Sequence, residues 1–357
     1  MKISSVHAWM QELPLTKSYT IAYKTISHAE IVFLEVTLEN GLTGLGSCSP
    51  SPDVVNESPA DALANLQQEA LQQWVGRDIR HFNQLIDEAG RRYPHCPGTL
   101  AAIDLALHDA FCRYLGIPVV DLYGRKFDAL PTSVTIGIKD TADMILEAKE
   151  YYANGFRILK IKTGIDVDQD IERVHKLHVG FGGHMMIRVD ANTGYTISDL
   201  KKFVQATKDI NIELIEQPLA PGGEVELSQL DENIRAGLAA DESLLGPADA
   251  LKLCHPPKPY GIFNIKLMKC GGIRAAREIA LMVQHAGIRL FWGCNDESMV
   301  SIAAALHAAY SCPHTRYLDL DGSFDLQRDL VEGGFVVKEG YMHLTKAPGL
   351  GVRRTHT

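Results

Sequence analysis

After Pro131 the chain settles into a repeat that few folds can accommodate. Eight short apolar runs recur: TSVTIGI (132–138), FRILKIK (156–162), MMIRVDAN (185–192), IELIEQP (212–218), GLAADES (237–243), GIFNIKLMK (261–269), GIRLFWGC (287–294) and TRYLDLD (315–321), with helical stretches between them. Their spacing, roughly 25 residues, suits repeated strand–helix units. Eight such units close naturally into a (β/α)8 barrel. An open, doubly wound sheet would need a glycine-rich phosphate turn early in a βαβ unit. GLTGLG at 41–46 is not that fingerprint and no helix follows it, so it reads as a hairpin. KCGGIRAA at 269–276 reads either as a helix start facing an anion or as an ordinary barrel helix.

The residues before Pro131 follow another pattern. SSVHAWMQEL, AEIVFLEVTL and GLTGLGSCS read as antiparallel strands, with a turn at ENG. Residues 59–90 and 97–115 read as helices; the second is apolar at helical spacing and closes with Gly116 followed by Pro118. The expected architecture is α/β: an α+β capping domain (1–130), a modified (β/α)8 TIM barrel (131–321), and a C-terminal segment (322–357) whose GGFVVKEG and YMHLT stretches return to the cap.

The charged residues fall at a fixed place in the repeat. Runs two to six end in Lys162, Asp190, Glu216, Asp241 and Lys266, at intervals of 28, 26, 25 and 25. In a barrel all C-terminal strand ends point into one mouth, so the series predicts three converging carboxylates with a lysine on each side. Any one carboxylate reads equally well as a helix N-cap or a strand-end ion-pair partner. Three at one register repel unless a cation is shared. Oxygen donors without cysteine or a well-placed histidine suit Mg2+, with Asn192 as an outer supporting group. Lys160 shares a strand face with Lys162; the competing reading of LKIKTG is a solvated edge strand.

Lys162 and Lys266 belong to runs four steps apart in an eight-membered ring, on opposite sides of the mouth. A carboxylate held by a divalent cation acidifies the neighbouring C–H. One lysine can then remove that proton while the other returns one from the opposite face. The base needs a lowered pKa, which positive neighbours would give; Lys160 and the metal are the expected ones. Lys160 itself is expected to stabilise the substrate carboxylate. Opposed bases suggest racemisation or epimerisation. Asp319 and Asp321 would pair with barrel lysines or bind a cationic group. Glu297, in GCNDES, would hydrogen-bond an oxyanion or lysine, or cap a helix. Lys24, in YTIAYKT, would lie in a loop covering the barrel. Asp104 and Asp109 read as structural, and His285 as non-catalytic.

Composition excludes other classes. A net charge of −9 with no basic tract argues against nucleic acid. No run approaches the ~20 apolar residues of a membrane span, and the N-terminus lacks a signal core. Seven cysteines without CxxC suit buried thiols in a reducing cytoplasm, not zinc.

On these motifs the sequence resembles the enolase superfamily, muconate-lactonising subgroup, and within it the dipeptide epimerases of the L-Ala-D/L-Glu type, over essentially the whole chain. The subgroup's KxK corresponds to Lys160-Ile-Lys162. Its metal ligands correspond to Asp190 in VDAN, Glu216 in IEQP and Asp241 in ADES, and its second acid/base to Lys266 in NIKLMKCGG. The resemblance implies a Mg2+-dependent 1,1-proton transfer at the α-carbon of a dipeptide's C-terminal residue. N-acylamino acid racemases, o-succinylbenzoate synthases and cycloisomerases use the same lysines. The DxD that binds a dipeptide's ammonium in the epimerases corresponds to Asp319-Leu-Asp321. Acid-sugar dehydratases carry a histidine where Cys294-Asn295-Asp296-Glu297 has none. Lys24 corresponds to a capping-loop arginine of glutamate-specific members, whereas Asp296, and Asp53 in the second cap loop, favour cationic side chains; Ala-Glu-like and cationic or broad substrates both stay open. Asn295 stands where the family often has a hydrophobic residue. A catalytically silent scaffold need not retain lysines on both faces. The superfamily often forms dimers or octamers, and no surface stripe identifies a homo-oligomer here.

Overall fold

The computed structural model describes residues 1–21 and 24–355, without the side chains of residues 17–26. Alternating apolar and polar residues make β1 (Ile3–Ile21) and β2 (Lys24–Leu38) a long antiparallel pair, with Val6 opposite Val36 and Ala8 opposite Leu34. β3 (Thr43–Cys48) joins the other edge of β2. The two glycines of GLTGLG inside β3 allow a close approach. A Cβ on Gly44 would sit 2.3 Å from Ala106 O, and one on Gly46 would sit 2.0 Å from Ala102 O, both on the helix Pro97–Leu115. That helix is buried on most sides, which explains its largely apolar sequence.

The helix expected over 59–90 is instead broken into Pro59–Leu66, Glu69–Gln72, the 3-10 turn Ile79–His81 and Phe82–Arg92. Gly76, at φ +87°, turns the chain. Its N–H then bonds Ile3 O (2.8 Å), and Ile3 N–H bonds Arg77 O (2.9 Å). Pairing with the N-terminal strand outweighs helical continuity there.

β4 (Leu130–Pro131) leads into eight parallel strands: β5 (Val134–Ile136), β6 (Ile158–Lys162), β7 (Met186–Asp190), β8 (Ile212–Glu216), β9 (Leu238–Ala240), β10 (Ile262–Ile265), β11 (Arg289–Trp292) and β12 (Thr315–Leu318). Each falls within its expected apolar run. A bridge between Thr132 and Leu318, with Ser133 N–H donating to Leu318 O (3.0 Å), brings the last strand round to the first. A turn follows β12 where a regular barrel has a helix, so the barrel is a modified one. Leu214, Ala239, Ile262, Phe291 and Tyr317 plug its interior. Arg188, fully buried, lies 5.4 Å over Phe291 and 5.3 Å over Tyr317 and pairs with Glu213 (2.6 Å), so its charge is not stranded.

The C-terminal residues return over both halves. β13 (Val331–Gly333) pairs with β16 (Val352–Arg354), and β14 (Phe335–Lys338) and β15 (Tyr341–Leu344) extend from β4. Asp109 is structural, as expected: its carboxylate accepts from Leu45 N–H (2.8 Å), Leu350 N–H (2.7 Å) and Arg113 (2.9 Å). Asp104 is as well, accepting from Ile273 N–H at 2.8 Å. The anion that the KCGGIRAA helix faces is therefore this aspartate. Among the described residues no helix is long and apolar enough to cross a membrane.

His307 carries a pH-dependent term. Its Nδ1 accepts from Val120 N–H (3.1 Å), its Nε2 has no partner, and burial pushes its pKa down to about 3. Because the folded value lies below the unfolded one, this group's contribution is intact above about pH 6.5 and is lost as pH falls toward 3. His307→Gln should reduce the loss of unfolding free energy between pH 7 and 5 by about 2 kcal/mol, measured by denaturant titration at both pH values.

Candidate active site

Strand register delivers the mouth residues side by side. Lys162 is the Cα partner of Asp190, and Asp190 of Glu216. Asp241 and Lys266 each stand one residue beyond their strands, β9 and β10. Alternation turns Lys160 and Lys162 to the same side, so both sequence-predicted lysines of LKIKTG reach the interior. The edge-strand reading fails, because β6 is paired on both sides and Lys160 is only 3% exposed.

Two ionic arms result. In the first, Lys160 Nζ lies 3.0 Å from Asp190, 2.8 Å from Glu216 and 2.9 Å from Asp319. Lys162 Nζ donates to Asp190 (2.7 Å) and to Asn192 Oδ1 (3.0 Å). In the second, Lys266 Nζ donates to Asp241 (2.8 Å), whose other oxygen and backbone carbonyl take Lys269. Asn264 Nδ2 donates to Glu216 Oε1 at 2.7 Å. Asp319 Oδ1 accepts from Ser133 Oγ (2.5 Å), and Asp321 Oδ2 from Thr135 N–H (2.7 Å). Glu297 accepts from Asn295 N–H (2.9 Å), and Asn295 Nδ2 reaches Ser49 O of the cap (3.0 Å). The Asn295 amide is thus used to fasten cap to barrel, a task no hydrophobic residue could perform.

Negative charge is in excess. Lys160, Lys162, Lys266 and Lys269 face the carboxyl groups of Asp190, Glu216, Asp241, Glu242, Glu297, Asp319 and Asp321. Burial alone would raise Asp190 and Asp241, but their lysines outweigh it and hold both well below the usual range. Glu216 has less compensation; burial and Asp190 push it up to about 8. Burial pushes Glu297 up to about 7, and burial with Asp319 does the same to Asp321. Burial would lower Lys266, yet Asp241 and Glu216 override it and raise it. Lys160 acts on Lys266 in the lowering direction, as a positive neighbour must, but Asp241 and Glu216 outweigh it.

As the side chains stand, no three acidic, histidine or cysteine groups among the described residues form a metal cage, since ammonium groups occupy the inward oxygens. The donor set nevertheless suits a hard divalent cation. Asp190, Glu216 and Asp241 supply oxygens from three neighbouring strands, and buried Glu216 Oε2 makes no hydrogen bond despite its ionic contact.

Lys160, Lys162, Asp241, Lys266, Asp319 and Asp321 line a cavity of about 400 Å³ between barrel and cap. Asp296 and exposed Asp53 both line it, as do Ser27, His28 and Glu30 of β2. The side chain of Lys24 lies outside the described residues. A larger cavity of about 480 Å³ on the flank shares only Glu242 with it and contains none of the four lysines Lys160, Lys162, Lys266 and Lys269. Sequence reasoning missed Lys269, Glu242 and Asn264. Asn264 sits two residues before Lys266 on the same strand face, a signal that alternation carried; Lys269 needed knowledge of the tight helix Leu267–Cys270.

Residues 5–124 match the mandelate racemase / muconate lactonizing enzyme N-terminal domain, and residues 143–355 the enolase C-terminal domain-like family. The chain belongs to this family. It is an enzyme of the racemase and epimerase type within the enolase superfamily. One similar family member, the L-Lys-D/L-Arg epimerase of Desulforapulum autotrophicum, is 50% identical over 99% of this chain and 100% of its own. The dipeptide epimerase of Methylococcus capsulatus, solved with Mg and L-Arg-D-Lys, is 48% identical with TM-score 0.97, covering 99% of both chains. That of Enterococcus faecalis V583, solved with Mg and L-Leu-L-Tyr, is 32% identical with TM-score 0.92, again over 99% of both.

Proposed function

We propose that the chain is a Mg2+-dependent dipeptide epimerase that moves the α-proton of the C-terminal residue and favours cationic side chains. The observation that carries this reading is the pair of lysines on buried carboxylates, Lys162–Asp190 on β6–β7 and Lys266–Asp241 beyond β9–β10. Strands β6 and β10 are four apart in the ring, so the two ammonium groups approach a substrate carbon from opposite sides. One lysine, once neutral, takes the proton; the other delivers one to the opposite face. Asp190, Glu216 and Asp241 would hold Mg2+, which supplies the positive charge that acidifies the α-carbon and makes a neutral lysine accessible. Asp319 and Asp321 would receive the dipeptide's ammonium. Lys160, already bonded to Asp319 and Asp190, would stabilise the substrate carboxylate.

Cationic preference follows from the excess of carboxylates in the mouth and from Asp296, Asp53 and Glu30 on its rim. The relatives solved or named with Lys and Arg dipeptides support the same reading. Steady-state kinetics on L,L-dipeptides tests it: kcat/KM should be highest with Arg or Lys at the C-terminal position, lower with apolar residues and lowest with Glu. Equal values for Arg and Glu would refute the preference while leaving epimerisation intact.

Mg2+ should also stabilise the fold. At a concentration about 100 times Kd it contributes about 2.7 kcal/mol, so thermal unfolding should shift up by several degrees and return on adding EDTA.

A further inference from the structure

We propose that Gln217, next to Glu216 in the chain, is a positioning residue that sets the second ionic arm independently of the first. It is fully buried and held at φ +33°, a backbone conformation that L side chains rarely adopt. Its backbone N–H donates to Ala239 O and its C=O accepts from Thr193 N–H, both at 2.8 Å. The side chain then crosses to the next strand end. Oε1 accepts from Asp241 N–H (2.9 Å) and Ser243 N–H (3.1 Å). Nε2 donates to Leu219 O (2.7 Å), Ser243 Oγ (2.8 Å) and Tyr260 OH (3.1 Å). Two backbone donors on one side and a backbone acceptor on the other fix the amide's orientation.

Asp241 and Glu242 lie beyond β9, which ends at Ala240, so the ladder does not hold them. Gln217 Oε1 takes Asp241 N–H and, past Glu242, Ser243 N–H, and so supplies the fixed points that the ladder lacks. Asp241 in turn holds Lys266 and Lys269. The first arm is fastened differently. Asn192 Oδ1 accepts from Lys162, and Asn192 N–H donates to Asp190 at 3.0 Å. Its direct connection to Gln217 is through the backbone carbonyl, which survives any substitution of the side chain, and the arms also meet at a long contact, Asn192 Nδ2 to Glu242 Oε1 (3.4 Å). Losing the Gln217 amide therefore loosens Asp241 and Lys266 while leaving Asp190 and Lys162 in place. A purely structural role, stabilising the fold as a whole, would affect both arms alike.

This inference rests on the proposed Mg2+-dependent epimerase reading and is tested on the full chain. Gln217→Met keeps the volume and removes the oxygen acceptor; Gln217→Glu keeps size and an acceptor oxygen, and carries the same readouts should the Met variant not fold. Tyr260→Phe removes one hydrogen-bond partner of the same amide without touching Asp241. Calorimetric titration with MgCl2 should show Gln217→Met weakened about 10- to 100-fold, Gln217→Glu less so, and Tyr260→Phe within about twofold of wild type. In D2O, α-proton exchange measured separately from the two epimers of one dipeptide should become unequal, the rate through the Lys266 face falling at least tenfold more than that through the Lys162 face. Wild-type Mg2+ affinity and an unchanged ratio of the two rates in the Gln217 variants would overturn the inference alone. A wild-type chain that binds no Mg2+ would overturn the parent reading and this one with it.

Discussion

Lys162→Ala should lose α-proton exchange from one epimer of a dipeptide while retaining a measurable rate from the other. Loss of a general base costs about 10²- to 10⁴-fold, and here the loss falls on one face only, because Lys266 sits on the opposite side of the ring with its own carboxylate partner. Lys266→Ala should show the mirror pattern. Epimerisation needs both faces, so net turnover should fall by the full factor in both variants, although exchange survives from one epimer in each. Mass spectrometry of each epimer incubated in D2O reads this directly. Asp190, the partner of Lys162, also contacts Lys160 and would hold the metal, so Asp190→Asn should silence both faces. Equal loss from both epimers in Lys162→Ala would mean that the lysine is part of the cation network and not a base.

The second large effect concerns the free ammonium of the substrate. Asp321→Asn should raise KM for dipeptides about 10- to 100-fold, the size expected for one hydrogen bond to a charged group, ~1.5–3 kcal/mol. kcat should change much less, since the ammonium is remote from the reacting carbon. Asp321 is the better choice for this test than Asp319, whose two oxygens already serve Lys160 and Ser133. The Asp321 carboxyl is pushed up to about 7 by burial and by Asp319. An ammonium placed between the two would favour the ionised form, so KM should rise as pH falls below about 7 in the wild type, and this dependence should vanish in Asp321→Asn. N-acetylated dipeptides should bind poorly to the wild type and gain relative to free dipeptides in the variant. A wild type that prefers N-acylated substrates would move the assignment to N-acylamino acid racemisation on the same scaffold.

The sequence disclosed the parts of this site that obey a period. The charges at 162, 190, 216, 241 and 266 were legible because a barrel repeats its strand ends, and the barrel itself because eight apolar runs recur. What depends on tertiary packing was not. Gly44 and Gly46 looked like hairpin residues, and only the helix lying against them shows that they make room for Ala102 and Ala106. The helix expected over 59–90 yields to pairing with residues 1–3, a contact across more than 70 positions. Lys269 has no periodic signature at all, lying on a single helical turn after Lys266, yet it holds Asp241 as closely as Lys266 does. The balance of charge at Lys266 was not legible for a related reason. Sequence spacing shows which charges converge, but only coordinates show that Asp241 and Glu216 outweigh Lys160 at Lys266.

Exchange itself is the most direct test of Mg2+-dependent epimerisation. Purified protein incubated in D2O with L-Lys-L-Arg, with and without MgCl2, should raise the mass of the dipeptide by one unit, at the C-terminal α-carbon, only when Mg2+ is present. Deuterium should also appear in the L,D epimer that accumulates. No mass gain with Mg2+ demonstrably bound, across cationic, apolar and acidic dipeptides, would contradict dipeptide epimerisation and leave a metal-binding barrel whose reaction lies elsewhere.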